Sequence, residues 1–277
     1  MPGRGRGAIA LASGGPAMNV HDHNRDAWNA ESDSGTSEWC QPVDAATIAA
    51  ARAGDWSVIL TPNKSVPRAW FGSISGARVL CLASAGGQQA PILAAAGAEV
   101  TSVDLSPAQL AKDAEVAARE QLSLTTIEAD MTDFAGAVDS GYDLIFHATS
   151  NVFASRLAPV WRDCAAVLKP GGRLLSGFMN PDFFLFDHDE VDAGGPLTVR
   201  HKLPFQAARD LPADLREARI KNREALEYSH SMQDQIGGQI DAGFVIEGFY
   251  EDRWSPEATR LDPFMPTSFA TLARKAC

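Results

Sequence analysis

Polar residues that could bind a ligand follow five apolar segments of the chain. They are "SAGGQQ" at 84–89, Asp104, Asp130, "HATSN" at 147–151 and "NPDFF" at 180–184. Carboxylates can accept hydrogen bonds from hydroxyl and amino groups, and glycines allow a ligand to approach the backbone closely. These residues therefore predict one ligand site, provided that the apolar segments end at the same edge of a sheet.

The turn at 83–90 does not fit a phosphate-binding fingerprint. Read from position 83, the three glycine positions of GxGxxG hold Ala83, Ala85 and Gln88, and the sequence GxxxxGK[ST] is absent. Asp104 lies 17 residues after Gly87, where a carboxylate can accept both hydrogen bonds of a ribose diol. The pattern favours a nucleoside ligand without phosphates, such as S-adenosylmethionine (SAM).

Strands and helices alternate from residue 77 onward. The apolar segments predict strands at 77–83, 98–104, 124–130, 142–149 and 173–179, and the intervening periodic segments predict helices at 88–97, 106–121 and 156–168. This alternation predicts an α/β fold, a doubly wound parallel sheet with helices on both faces. In such a sheet the ligand lies beyond the carboxyl ends of the strands, where the polar residues occur.

Composition limits the class of partner. The chain has 277 residues and a formal net charge of −11, so its surface repels nucleic acid. No run of 18 apolar residues exists, which predicts no membrane partner. The four cysteines lie far apart and form no CxxC pair, which favours reduced thiols in the cytoplasm over a zinc site. The sequence gives no prediction of oligomeric state.

Three regions are predicted. Residues 1–18 are rich in Gly, Ala and Pro and indicate a disordered tail. Residues 19–75 show little periodicity apart from a helix at 44–55, but contain Trp28, Trp39, Trp56 and Trp70, which predicts an N-terminal cap. Residues 76–277 form the ligand-binding domain, in which 181–240 is too long for a turn and predicts a lid after the fifth strand.

Five motifs in order resemble those of class I SAM-dependent methyltransferases. They are "VLCLASAGG" (79–87), "VTSVDLS" (100–106), "EADMTDF" (128–134), "YDLIFHATSNVF" (142–153) and "VLKPGGRLLSGF" (167–178). The segments "GFVIEGFYED" (243–252) and "SFATLARK" (268–275) resemble the antiparallel hairpin that ends the family's sheet. The resemblance implies a mostly parallel sheet of seven strands and SAM as the cofactor.

The resemblance also implies roles for individual residues. Asp104 would bind the ribose, Asp130 the adenine amino group and Met131 the adenine ring. The other implied cofactor-binding residues are Ala83, Ser84, Gly86, Gly87, Gln88, Leu105 and His147.

The first motif departs from the family pattern. Cys81 stands where the family has an acidic residue, and Ala83 and Ala85 replace two glycines. Alanine costs least at such positions if φ is negative. Gln88, Gln89 and Thr61 are the candidates to replace the lost acceptor.

The predicted reaction is methyl transfer to a small, partly aromatic or apolar acceptor. His147 and His230 are candidate general bases, although each also fits a structural role. Trp39, Asn151, Phe184 and Tyr228 are the predicted acceptor-binding residues. No metal is expected, because "DHDEVD" (187–192) is more typical of a solvated acidic loop than of a metal site. The alternatives are a methyltransferase acting on a protein and a SAM-binding protein without turnover; the nucleic-acid motif [DN]PP[YF] is absent at 147–151.

Overall fold

The computed structural model of the protein describes the backbone of residues 8–9 and, in full, residues 18–276. Strands β1 (Ala8–Ile9) and β2 (Met18–Asn19) pair antiparallel and precede the main body. Most of the predicted tail at 1–18 lies outside the described residues, and its disorder stays a prediction.

Seven strands form the main sheet. They are β3 (Arg78–Leu82), β4 (Glu99–Asp104), β5 (Leu124–Glu128), β6 (Tyr142–His147), β7 (Leu168–Met179), β8 (Phe244–Asp252) and β9 (Ser268–Lys275). Their order is β5-β4-β3-β6-β7-β9-β8. Neighbours from β5 to β7 are parallel, whereas β9 pairs antiparallel with both β7 and β8. The predicted fold class and its antiparallel C-terminal hairpin are confirmed.

Alternation along the central strands builds a core on each face of the sheet. Val79 and Cys81 of β3 point to one face, which is covered by α2 (Ala45–Arg52) and α3 (Gln89–Ala95). Leu80 and Leu82 point to the other face, which is covered by α5 (Ala158–Val167). Since successive strand side chains point to opposite faces, a continuous apolar run is what a strand buried on both faces requires.

Helix α4 (Pro107–Glu120) joins β4 to β5 and matches its sequence prediction closely. The Ser106 hydroxyl accepts a hydrogen bond from the Gln109 amide at 3.2 Å, and Pro107 occupies the first turn. Both residues are typical of helix N-termini, because they satisfy or remove amide donors that lack a partner inside the helix. The cap lies two residues after Asp104 and so fixes the direction in which the chain leaves the end of β4.

Helix α1 (Val20–Ser34) was not predicted from the sequence. Its buried positions include the polar residues Asn24 and Ser32 as well as Val20 and Ala27, so its apolar stripe is weak. Tertiary contacts stabilise it instead. The Asn24 side chain donates to the Leu226 carbonyl at 2.9 Å and accepts from the Leu226 amide at 2.8 Å, which joins α1 to the 181–240 region.

The described region 181–240 contains or begins four short α-helices and contributes to a third apolar cluster, which includes Phe183, Phe184 and Leu226. The helices are α6 (His188–Asp192), α7 (Ala207–Asp210), α8 (Ala213–Asn222) and α9 (Gly238–Asp241). In the acidic stretch at 187–192, Glu190 pairs with Arg200 at 2.6 Å and Asp189 with Arg219 at 3.2 Å. Lid motion of this region stays a prediction.

The remaining partner predictions concern membranes and metal ions. Within the part of the chain that the structure describes, no helix combines the length and apolarity needed to cross a membrane. Across the same residues, no group of three or more His, Cys, Asp or Glu side chains is arranged to hold a metal ion.

Candidate active site

A cavity of about 580 Å³ lies at the carboxyl ends of β3, β4, β5 and β6. This volume falls within the usual range for small-ligand sites, roughly 300–1,000 Å³. The predicted cofactor-binding residues that line it are Ala83, Ser84, Gln88, Asp104, Leu105, Asp130 and Met131. Helix α1 contributes His21, Asn24, Trp28 and Glu31, which recur at intervals of three or four residues and form one face of the helix. Thus α1 forms one wall of the cavity.

The glycine turn after β3 packs against the N-terminal cap. A Cβ atom on Gly86 would lie 2.6 Å from the Trp39 carbonyl oxygen, and one on Gly87 would lie 2.9 Å from Pro42. Both glycines also have positive φ, at 128° and 82°. Close packing and backbone conformation therefore both require glycine here, although neither residue lines the cavity.

Asp113 of α4 holds this turn in place. One carboxylate oxygen, Oδ1, accepts a hydrogen bond from the Gly87 amide at 2.7 Å, and Oδ2 accepts one from the Ser102 hydroxyl at 2.6 Å. The side chain is fully buried, and its negative charge contributes to raising the pKa of the buried Cys81 thiol, after burial itself. The carboxylate that the first motif lacks at Cys81 is thus supplied by the next helix but one.

The three residues expected to replace that carboxylate have other partners. The Gln88 amide group donates to the carbonyls of Glu38 and Gln41, and the Gln89 side chain accepts from the Ile59 amide. The Thr61 hydroxyl donates to Asp252 at 2.7 Å. These contacts join the three side chains to the cap and β8, so the turn itself is anchored by Asp113, while all three residues still line the cavity.

Asp104 presents a carboxylate to the cavity at the end of β4. It accepts hydrogen bonds from the Ser106 amide at 2.9 Å and the Ala85 amide at 3.3 Å. Burial raises the pKa of Asp104 to about 6, and burial also raises that of Asp113 to about 7. Within residues 18–276, no cationic side chain pairs with Asp104, so its remaining lone pairs are open to a ligand.

Other polar groups around the cavity lack partners within the described chain. The Ser84 hydroxyl and the Gln109 side-chain oxygen Oε1 are buried without a hydrogen-bond partner there, and both residues line the cavity. Because buried polar groups are nearly always satisfied, these atoms indicate a ligand with donors of its own. The adenosyl and amino acid groups of SAM provide such donors, so the residues present fit this cofactor.

Asp130 is contacted by α1. Its Oδ2 atom lies 3.0 Å from Nε2 of His21, and its Oδ1 atom accepts from the Thr132 amide at 2.8 Å. Burial acts to raise the pKa of Asp130, but the His21 side chain and the Thr132 amide outweigh it and hold the pKa below its ordinary value. Asp130 in turn raises the pKa of His21. The carboxylate is therefore ionised and adjoins the cavity together with Met131.

Ala83 departs from the expectation of negative φ, since its φ is 47°. A left-handed conformation costs a residue with a Cβ roughly 1–2 kcal/mol, whereas glycine adopts it readily. Ala85 is not among the described residues with positive φ. Of the two alanines, only Ala83 therefore occupies a position that favours glycine by its backbone.

We predict opposite effects of glycine at these two alanines. Ala83→Gly should raise the free energy of unfolding by about 1 kcal/mol, because it relieves the left-handed backbone. Ala85→Gly should lower it by about 0.4–1 kcal/mol, because it adds only flexibility to the unfolded chain. Urea denaturation of both variants measures the two effects. A loss of stability in Ala83→Gly would contradict the prediction.

Comparison with known proteins identifies the family. A family model described as a methyltransferase domain matches residues 80–176. YbaJ of Bacillus subtilis (strain 168), an uncharacterized methyltransferase, is 45% identical over 253 residues, which cover 91% of this chain and 97% of that protein. The chain belongs to the class I SAM-dependent methyltransferases. The predicted family is confirmed, and SAM is the cofactor.

Solved methyltransferases share the fold of this one. Magnesium protoporphyrin IX methyltransferase from Synechocystis PCC 6803, solved with S-adenosylhomocysteine (SAH), superposes with a TM-score of 0.55 at 14% identity, covering 93% of this chain and all of that one. The 1,6-didemethyltoxoflavin-N1-methyltransferase of Burkholderia thailandensis gives 0.56 at 15% identity, covering 98% and 94%. At these identities the likeness concerns the fold.

The two predicted catalytic histidines of this methyltransferase do not line the cavity. His147 is fully buried, with Nδ1 2.9 Å from the Leu82 carbonyl oxygen and Nε2 2.7 Å from Oδ1 of Asn151. Nε2 of His230 donates to the carbonyls of Asn151 and Ala154. Burial lowers the pKa of both histidines. Since all these contacts lie within the protein, the structure places both side chains in structural positions, the alternative that the sequence also allowed.

Three of the four predicted acceptor-binding residues do not line the cavity either. Asn151 belongs to the buried His147 network and also donates to Gln235, while Phe184 stacks on Phe205 at 5.9 Å between ring centroids. Tyr228 packs against the same apolar cluster as Phe184. Trp39 does line the cavity and is 41% exposed, but it stands beside the glycine turn rather than beside the 181–240 region. These contacts leave only Trp39 at the cavity surface.

A different aromatic wall adjoins β6, β7 and the 181–240 region. Trp28 packs edge-on against Phe153 at 5.1 Å, and Phe183 packs edge-on against Trp254 at 5.2 Å. Met179, at the end of β7, also lines this side. Trp28 was noted in the sequence as part of the cap, and Phe183 as part of "NPDFF"; no local pattern marked Trp254 or Phe153 as cavity residues.

Proposed function

We propose that this methyltransferase transfers the methyl group of SAM to a small, partly aromatic or apolar acceptor. The observation that carries the proposal is the division of one cavity into two sides. Polar groups from β3, β4 and β5 line one side, and Trp28, Phe153, Phe183 and Trp254 line the other. Small-ligand pockets are mostly apolar with a few placed polar groups, as on this second side.

The polar side would hold the cofactor through residues of the motifs that resemble those of the family. Asp104 accepts hydrogen bonds from the ribose hydroxyls, and Asp130 with Met131 binds the adenine. Ala83, Ser84 and Gln88 of the turn line the cavity, and Ser84 and Gln109 have buried polar atoms that lack a partner in the described chain. Bound there, SAM supplies an activated methyl group. The chain itself aligns the acceptor with that group and excludes water through α1.

Two further considerations support a small acceptor. The similar Burkholderia thailandensis enzyme was solved with bound 1,6-didemethyltoxoflavin and SAH, so a related fold accommodates a small molecule beside the cofactor product. The net charge of −11 opposes binding of nucleic acid, as the absence of [DN]PP[YF] also does. A protein acceptor is the second candidate, and it predicts a different distribution of the methyl label.

Incubation with methyl-labelled SAM and a whole-cell extract distinguishes the candidates. We expect label in the low-molecular-mass fraction and little in protein or nucleic acid. An Asp104→Ala variant serves as the control and should transfer little label at a SAM concentration near the wild-type Kd. Label confined to protein would replace the small-molecule proposal with a protein acceptor. Binding of SAH without any label transfer would favour the non-catalytic alternative.

A further inference from the structure

Two carboxylates on the cavity wall, those of Glu31 and Glu227, have no partner among residues 18–276, and of the two only Glu227 is partly buried. Glu227 lines the cavity, and among residues 18–276 its side chain makes no hydrogen bond and no ion pair. The two cofactor-side carboxylates differ, because Asp104 accepts from two backbone amides and Asp130 contacts His21 and Thr132. A carboxylate held near a cavity without partners is available to whatever occupies that cavity.

The backbone on both sides of Glu227 is held firmly. Leu226 exchanges two hydrogen bonds with the Asn24 side chain of α1, at 2.8 and 2.9 Å. The Tyr228 amide donates to the Val152 carbonyl at 2.7 Å, and the Ala207 amide donates to the Glu227 carbonyl at 2.8 Å. Glu227 is therefore fixed between the α1 wall and the segment that follows β6.

This position belongs to the acceptor side of the cavity. Val152 and Phe153 of the segment after β6 line the cavity, and Phe153 is part of the aromatic wall. Neither His147 nor His230, the two candidate bases of the sequence, lines the cavity, whereas Glu227 does.

The charged groups that act on Glu227 belong to residues that line the same cavity. Burial raises the pKa of Glu227, and the charge of Arg219 opposes that shift. Arg219 is itself paired with Asp189 at 3.2 Å and lies 4.0 Å from Glu224. The ionisable residues that face the same cavity are Arg219, Arg223 and Glu224 from the α8 side, His21 and Glu31 from α1, and Asp104 and Asp130 from the sheet.

We propose that Glu227 is the proton acceptor for an acceptor molecule whose nucleophile is a neutral hydroxyl or amine. The inference rests on the proposed function, namely methyl transfer to a small molecule. As the nucleophile forms its bond to the methyl carbon, the carbon–sulfur bond breaks and its electron pair stays on sulfur. The nucleophile then carries an extra proton, which Glu227 takes and later releases to water. Groups of this kind typically accelerate reactions by about 10²–10⁴-fold.

The first test observes Glu227 without turnover. The protein is labelled with ¹³C in its glutamate carboxyl groups and saturated with SAH, and the Glu227 resonance is assigned with the Glu227→Gln variant. Phenol, the smallest aromatic hydroxyl donor, should shift this resonance. Anisole, its methyl ether, has no donor and should shift it much less. Equal effects of the two probes, or no effect of phenol, would overturn the proposal.

The second test measures label transfer from methyl-labelled SAM to the low-molecular-mass fraction of a cell extract. Glu227→Gln should lower the rate by about 100-fold or more and abolish its rise with pH, with SAH affinity unchanged. Glu217→Gln, on the exposed face of α8, should behave like the wild type. If Glu227→Gln keeps the wild-type rate and pH profile, Glu227 is not the base. If the wild type transfers no label, the proposed function fails, and the phenol experiment still decides the role of Glu227.

Discussion

Asp113→Ala should weaken SAH binding by about 10–150-fold and lower the free energy of unfolding by about 3 kcal/mol, although Asp113 does not line the cavity. The substitution removes the acceptor of the Gly87 amide and of the Ser102 hydroxyl. Hydrogen bonds to charged groups contribute about 1.5–3 kcal/mol each to stability, and the Gly87 amide and Ser102 hydroxyl would stay buried without an acceptor. Because the turn that adjoins the cofactor then loses its anchor, affinity and stability should fall together.

Calorimetry with SAH and urea denaturation measure these two effects. Glu115→Ala, an exposed carboxylate on the same helix, is the control and should change neither quantity. A second substitution tests the role of the carboxylate itself. Cys81→Asp in the Asp113→Ala background returns a carboxylate to the position that the family uses, and it should recover part of the lost affinity. Wild-type SAH affinity in a folded Asp113→Ala protein would show that the turn does not depend on this residue.

The ionisation of Asp113 gives the same residue a pH signature. Its pKa in the folded protein is raised to about 7, whereas an unfolded aspartate has a value of about 3.9. The folded state therefore retains a proton that the unfolded chain has lost, and this contribution to stability is lost as the pH rises from about 4 to 7. The pKa of Asp104, which is raised to about 6, adds to this loss of stability with rising pH. The Asp113→Asn variant should lose less stability between pH 5 and pH 8 than the wild type.

Asp104→Ala should lower SAM affinity by about 10–150-fold while the protein stays folded. The carboxylate is open to the cavity, and a bidentate contact to the ribose hydroxyls contributes about 1.5–3 kcal/mol. Stability should change less than in Asp113→Ala, because the hydrogen bonds that Asp104 accepts from Ala85 and Ser106, at 3.3 and 2.9 Å, are longer than those of Asp113, at 2.7 and 2.6 Å. Calorimetric titration with SAM measures the difference.

Asp133→Ala provides the matched control for Asp104, since Asp133 is an exposed aspartate close in sequence to Asp130. It should bind SAM as the wild type does. The affinity of the wild type should also fall as the pH is lowered through about 6, because the protonated form of Asp104 can accept fewer hydrogen bonds. An Asp104→Ala variant with unchanged affinity would place the ribose elsewhere in the cavity.

The sequence by itself determined the sheet and the polar residues at its edge. Apolar runs such as 77–83 and 142–149 identify strands because a strand buried on both faces must be apolar along its whole length. Ser106 and Pro107 fixed the start of α4 for an equally local reason. Once the strands are parallel, Asp104 and Asp130 must lie at the same edge, so their meeting at one cavity followed from local pattern and chain order.

Only the tertiary structure decided which side chains meet at the site. Asp113 reaches Gly87 across 26 residues of sequence, and Glu227 reaches the cavity because Leu226 is held by Asn24, 202 residues away. Helix α1 has a weak apolar stripe and is positioned by such polar contacts, which leave no periodic trace in the sequence. His147 follows its strand as expected, yet the Leu82 carbonyl and Asn151 hold its ring inside the protein. Local periodicity determines which face of a helix or strand a residue occupies, whereas hydrogen bonds between distant segments determine whether its polar atoms reach the cavity or stay inside the protein.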